Sequence, residues 1–161
     1  MNAVAERDTA VKFGLEPYSE KLVQEMRPMW DAYQEEVFGE EFVPDPNLTM
    51  YSQSQKNATL RIFTARVGSK WESTLVGFQV VFVMNHPHRK YSLEACQDIL
   101  YLDPEVRKGL VGLKFLKWCD RELIREGVKK ITHQCRAHKN LGRIFERMGY
   151  TLTEYSYARR I

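Results

Sequence analysis

A chain of 161 residues, 43% apolar and 28% charged, can bury one sizeable core and has the composition of a soluble globular protein. Its net charge of +3, from 24 basic and 21 acidic side chains, is too small to argue for a nucleic-acid partner. The dispersed cysteines Cys96, Cys119 and Cys135, with no CxxC or Cys/His pair, point to a reduced cytoplasmic protein and away from a disulfide framework or zinc site. Without a secretory h-region or about 18 consecutive apolar residues, neither export nor membrane spanning is expected.

Taken in chain order, residues 1–9 read as a mobile tail ahead of a single domain over 10–161. A short strand is expected at 11–15. Ser19 is a good helix N-cap, and Leu22, Met26, Met29, Trp30, Tyr33 and Val37 recur at helical spacing. Pro28 interrupts them, which predicts a kink or two consecutive helices. The stretch 38–56 reads as a long loop of the kind that often carries function; Tyr51 within it is either an entrance aromatic or a surface one. Strands at 60–67 and 75–84 form a hairpin across Gly68-Ser69-Lys70, the second apolar on both faces and therefore central. His86 and His88 flank Pro87 in a polar turn at 85–90, with no third metal ligand nearby. A fourth strand at 92–102, a fifth at 129–135, a helix at 138–148 and a last strand at 152–159 complete the reading.

The most informative stretch follows the fourth strand. Pro104 ends that strand, and the basic, glycine-bearing loop from Arg107 to Gly112 enters a helix with a dry face of Leu113, Leu116, Cys119 and Leu123. Unpaired amides and the helix dipole at such an N-terminus favour an anion, and Arg107 and Lys108 add positive charge. The chemistry suggested is pyrophosphate binding by Lys108, Gly109, Leu110, Val111 and Gly112 with help from Arg107.

That loop, Arg107-Lys108-Gly109-Leu110-Val111-Gly112, resembles motif A of the GNAT (GCN5-related N-acetyltransferase) superfamily, R/Q-x-x-G-x-G/A, with Leu110 in place of the middle glycine and Gly109 one position earlier. The run Leu141-Gly142-Arg143-Ile144-Phe145-Glu146-Arg147-Met148-Gly149-Tyr150 resembles the family's closing signature, and Tyr33-Gln34-Glu35-Glu36-Val37 the acidic end of the first helix in its phage-type branch. The resemblance covers residues 10–161 in the right order. It implies an α/β (α+β) fold: a mixed, mostly antiparallel central sheet of six to seven strands, flanked by about four helices and splayed between strands four and five. It further implies an acyl-CoA-dependent N-acetyltransferase that moves an acetyl group from acetyl-CoA to a primary amine of a small molecule or protein. A homodimer and, for a phage protein in a host cytoplasm, a host-protein partner belong to the same expectation.

Acetyl transfer to an amine needs a base, because a lysine-type amine has a pKa of about 10.4, and it needs donors for the developing oxyanion. By resemblance the backbones of Leu100, Tyr101 and Leu102 hold the pantetheine arm and acetyl carbonyl. Glu94, Cys96 and Asp98 alternate onto one strand face. Asp98 is the first candidate base, the alternative being a carboxylate satisfied by backbone amides or an arginine. Glu36 is the second, the alternative being a solvated helix-end acid. Two positions depart from the family. Phe145 stands where a tyrosine often protonates the leaving thiolate, leaving Tyr101, Tyr150, Tyr157 or water for that task. His138 stands where an asparagine often contacts the cofactor. These departures keep a second class open, a GNAT-fold binding protein without turnover. A third reading, nucleic-acid binding through Arg107, Lys108, Lys114, Lys117, Arg159 and Arg160, is more simply a solvated basic face.

Overall fold

The computed structural model describes residues 10–39, 45–69, 72–159 and 161. Five strands form one sheet in the order β1 (Val11–Glu16), β2 (Leu60–Gly68), β3 (Ser73–His86), β4 (Arg89–Leu102) and β5 (Lys130–Thr132). The first four pair antiparallel and β5 joins β4 in parallel. Helices α1 (Glu20–Phe38) and α2 (Leu48–Lys56) precede β2; α3 (Val111–Arg125) links β4 to β5; a 3₁₀ turn (Ala137–Lys139) and α4 (Gly142–Arg147) follow β5. The expected tail at 1–9 and Lys70 of the hairpin lie outside the described residues.

The sheet is smaller than the six to seven strands expected. Residues 152–159 form no strand, and Leu152, Tyr155 and Tyr157 are exposed. The physical reason is the neighbour: β5 offers only three residues before the chain turns away, too short an edge to hold another strand. The fourth helix is also shorter than 138–148, because a separate 3₁₀ turn takes up its first residues.

Local chemistry explains the helices. Ser19 Oγ accepts the Leu22 amide at 3.2 Å and starts α1. The helix runs 19 residues through Pro28 as one element, so of the two expected outcomes, a kink or two consecutive helices, the second does not occur. An interior proline costs about 3 kcal/mol, and burial of Leu22, Val23, Met26 and Trp30 on both sides of it offsets that loss. The 38–56 stretch is not all loop. Asn47 Oδ1 accepts the Met50 amide at 3.0 Å and nucleates α2, whose buried residue is Tyr51.

Two apolar layers sandwich the sheet. Leu22, Met26, Trp30, Tyr51, Phe78, Val80 and Tyr101 fill the α1/α2 side. Phe63, Val81, Ala95, Leu102, Phe115, Cys119 and Leu123 fill the α3 side. Gln79 is fully buried, and neither its Oε1 nor its Nε2 finds a partner among the described residues. Beside α1, Arg66 bridges Glu16 (Nε–Oε1 2.7 Å) and Glu25 (Nη2–Oε2 2.8 Å), tying β1, β2 and α1 together.

Two irregularities in β4 position the site. Val80 faces Ile99 and Val81 faces Gln97, so Asp98 is an extra residue, a bulge without a cross-strand partner. Two residues before it the β4–β5 ladder ends: Glu94 pairs with Lys130, Ala95 with Ile131 and Cys96 with Thr132, and no pair follows although β4 continues to Leu102. The expected splay between strands four and five is therefore present, and it opens beside the bulge.

Candidate active site

The amino end of α3 is open. Leu110 is its N-cap residue, no side chain caps it, and no acid occupies its first turn. Gly109 has φ +69°, the left-handed region in which a side chain is strained, and this explains a glycine one position from where the motif places it. A Cβ on Gly112 would meet only Leu102 Cδ2 at 3.8 Å, an ordinary contact. Lys108 Nζ pairs with Glu105 at 2.9 Å in solvent. The backbone from Lys108 to Gly112 thus offers unpaired amides and a positive dipole end to an anion.

At the bulge, Asp98 is exposed, and its Oδ2 accepts a hydrogen bond from the Tyr51 hydroxyl at 2.9 Å. Oδ1 takes part in no hydrogen bond among the described residues. Tyr51 is itself buried, edge-on to Trp30 and against Phe82. Burial, then the Asp98 charge, pushes its hydroxyl well above the ordinary tyrosine range, so it stays a donor. Among the described residues, neither a backbone amide nor an arginine holds Asp98.

Glu36 is not a solvated acid. Its carboxylate takes a two-pronged bond from Arg107 (Nη1–Oε1 2.8 Å, Nη2–Oε2 2.6 Å) and lies 3.6 Å from Lys139 Nζ. The Arg107 bonds hold Glu36 below the usual carboxylate range, which makes it a weak base. Arg107 also donates to the Leu102 carbonyl at 2.5 Å and lies over the Tyr101 ring at 5.3 Å. Glu36 therefore connects a cation after β4 to one after β5. Tyr101 is buried on the α1/α2 face, and burial raises its hydroxyl's pKa.

The α3 side of the seam holds a different cluster. His133, directly after β5, is 2% exposed at its side chain. Its Nδ1 lies 2.6 Å from Gln97 Oε1, and its Nε2 lies 3.1 Å from the Tyr150 hydroxyl and 3.3 Å from Asp120 Oδ1. Tyr150 donates to Asp120 Oδ2 at 2.7 Å, and Phe145 stacks on the imidazole at 4.7 Å. Tyr150's proton is thereby engaged away from Asp98, Tyr157 is exposed, and His138 is exposed in the 3₁₀ turn. Sequence reading passed over His133, Asp120 and Gln97, and it left Tyr51 undecided. A buried polar triad on three elements leaves no local spacing to find.

Solved structures share this architecture. A ribosomal-protein-alanine N-acetyltransferase from Brucella melitensis biovar Abortus 2308 superposes with a TM-score of 0.67 at 15% identity, covering 93% of this chain and 99% of its own. The chain has the GNAT fold. An aminoglycoside acetyltransferase from an uncultured soil metagenomic sample gives a TM-score of 0.65 at 15% identity over 93% of this chain and 97% of its own. A predicted acetyltransferase with acetyl-CoA from Clostridium acetobutylicum gives 0.65 at 10% identity over 94% and 96%. No family model matches the sequence, and no curated protein does so. At these identities the GNAT fold is what is shared.

Proposed function

We propose that the protein is an acetyl-CoA-dependent N-acetyltransferase acting on a primary amine. The observation that carries the reading is the coincidence of three features: the uncapped amino end of α3, the β4–β5 seam that opens after Cys96, and the half-satisfied carboxylate of Asp98 at that opening. The residues present fit the donor: the amides from Lys108 to Gly112 would hold its diphosphate, and the unpaired rim of β4 at Leu100 and Leu102 its pantetheine arm. Acetyl-CoA supplies an activated acyl group when bound. Asp98 Oδ1 takes the proton an incoming ammonium must shed, while Tyr51 fixes the carboxylate from behind. The amine nitrogen then forms the N–C bond as the C–S bond breaks. Solvent protonates the departing thiolate, because Phe145 has no proton to give and Tyr150 has committed its own. Asp98 returns its proton to solvent.

A second reading, a binding protein without turnover, is favoured by Phe145 and by the engagement of Arg107 with Glu36. Calorimetry with CoA and acetyl-CoA, followed by thiol release over a panel of amines for wild type and Asp98→Asn, separates the two. Turnover lost in the variant with cofactor binding retained supports the enzyme. Cofactor binding with no turnover on any amine supports the binding protein.

A further inference from the structure

The surroundings of Asp98 carry charge of both signs, and this bears on what binds there. Burial raises the pKa of the Tyr33 hydroxyl, and it feels both charges, Arg136 lowering it and Asp98 raising it. Asp98 bonds Tyr51, Tyr51 meets Trp30, and one turn on along α1 Tyr33 packs edge-on to Phe38 with centroids 6.2 Å apart. The Arg136 guanidinium lies 4.0 Å over the Phe38 ring. The segment after β5 is also tied to β4: Gln97 Nε2 donates to the Gln134 carbonyl at 3.3 Å, and Gln134 Nε2 lies 3.9 Å from Cys96 Sγ. Arg136 thus stands two residues beyond Gln134, which is fastened to β4 at Cys96 and Gln97, just before Asp98. It is exposed and makes no ion pair among the described residues. Most other arginines near the sheet are paired: Arg61 to Glu126, Arg66 to Glu16 and Glu25, and Arg107 to Glu36. Stacking on Phe38 holds the planar cation in place while leaving its five donors open.

We infer that the acceptor of this site is an amine that also carries an anionic oxygen group, its ammonium at Asp98 and its anion on Arg136. The inference rests on the transferase reading for the role of the amine, while the anion site stands on the placement of Arg136. A guanidinium fork matches carboxylate and phosphate oxygens in two-pronged geometry. An amine without an anion would leave that cation unanswered.

The test uses the intact protein with a series of ω-amino acids from β-alanine to 6-aminohexanoate, each beside its primary amide, and phosphoethanolamine as the phosphate arm. Thiol release gives kcat/KM, and calorimetry in the presence of CoA gives affinity. One chain length should favour the acid over its amide by about tenfold or more, the size of a charge-assisted pair. Arg136→Met should bring that ratio toward one, Arg136→Lys should restore part of it, and Arg125→Met, far along α3, should leave it unchanged. A ratio near one across the series, or a ratio that survives Arg136→Met, overturns the inference. Arg136-dependent binding of the acid with no turnover of any amine upholds the anion site and sinks the transferase reading, so the two fail separately. Preference for phosphoethanolamine over every ω-amino acid assigns the anion as phosphate.

Discussion

Two tyrosine–aspartate pairs lie on opposite faces of the sheet, and they differ in what they leave over. On the α3 side, Tyr150 and His133 between them occupy both oxygens of Asp120, and Gln97 takes the other imidazole nitrogen. On the α1/α2 side, Tyr51 occupies one oxygen of Asp98 and nothing in the described chain occupies the other. The first arrangement is closed: a buried network with every group answered stiffens the junction of α3, β5 and α4. The second is open at the point where the sheet parts. The same two side chains make a brace in one place and a reactive group in the other, and the count of unanswered lone pairs tells them apart.

That contrast can be broken by exchanging the effects of mutation. Asp98→Asn should lower kcat/KM about 10²–10⁴-fold, the usual scale for a general base, with the thermal midpoint nearly unmoved; an equal fall in stability would make Asp98 a brace too. Asp120→Ala should do the reverse, costing about 2–4 kcal/mol in denaturant unfolding because two buried partners lose their bonds. The conservative pair is finer. Tyr51→Phe should cost about 1 kcal/mol and reduce kcat more than KM rises, whereas Tyr150→Phe should cost a similar stability with kcat retained.

Two further measurements probe the charges around the open pair. Glu36→Gln releases Arg107, so calorimetry should find CoA bound about 3–10-fold more tightly, on the scale of one surface ion pair; weaker binding would show that Glu36 orients Arg107 for the ligand. The Arg66 clamp is a control belonging to neither pair. Arg66 bonding holds Glu25 below its ordinary value, and at Glu16 the bonds from Arg66 and Thr64 outweigh the opposing effect of burial. Their contribution is complete above the unfolded carboxylate range of about 4.3 and is lost as pH falls through the lower folded values. Stability should therefore decline on acidification from about pH 5 to 3, and Arg66→Met should flatten that slope while activity at neutral pH is kept.

Much of the fold could be read locally: α1 and α3 repeat apolar residues at helical spacing, β3 is an apolar run on both faces, and a glycine turn joins it to β2. The misses share a cause: tertiary context decided them. Helix α2, LTMYSQSQK, buries only Tyr51, and its Asn47 cap was its signal. The 152–159 stretch has strand-forming residues, but a strand needs an edge to join. For the site, the α3 loop and Asp98 stood out locally, since a glycine-bearing basic loop and an acid in an apolar strand are visible one residue at a time. The partners did not. Tyr51 is 47 positions from Asp98 and Glu36 is 71 from Arg107, distances over which sequence carries no pairing information.

The single unpaired residue in β4 also sets the reading frame of that strand. Side chains alternate along an extended backbone, so one surplus residue makes Ile99 and Tyr101 face α1 and α2 where Leu100 and Leu102 would otherwise point. Deleting Asp98 would restore plain alternation, with Ile99 and Tyr101 still toward α1 and α2 and the two leucines still toward Phe115, while the carboxylate is lost. The surplus residue is thus one that the strand can lose and the candidate site cannot.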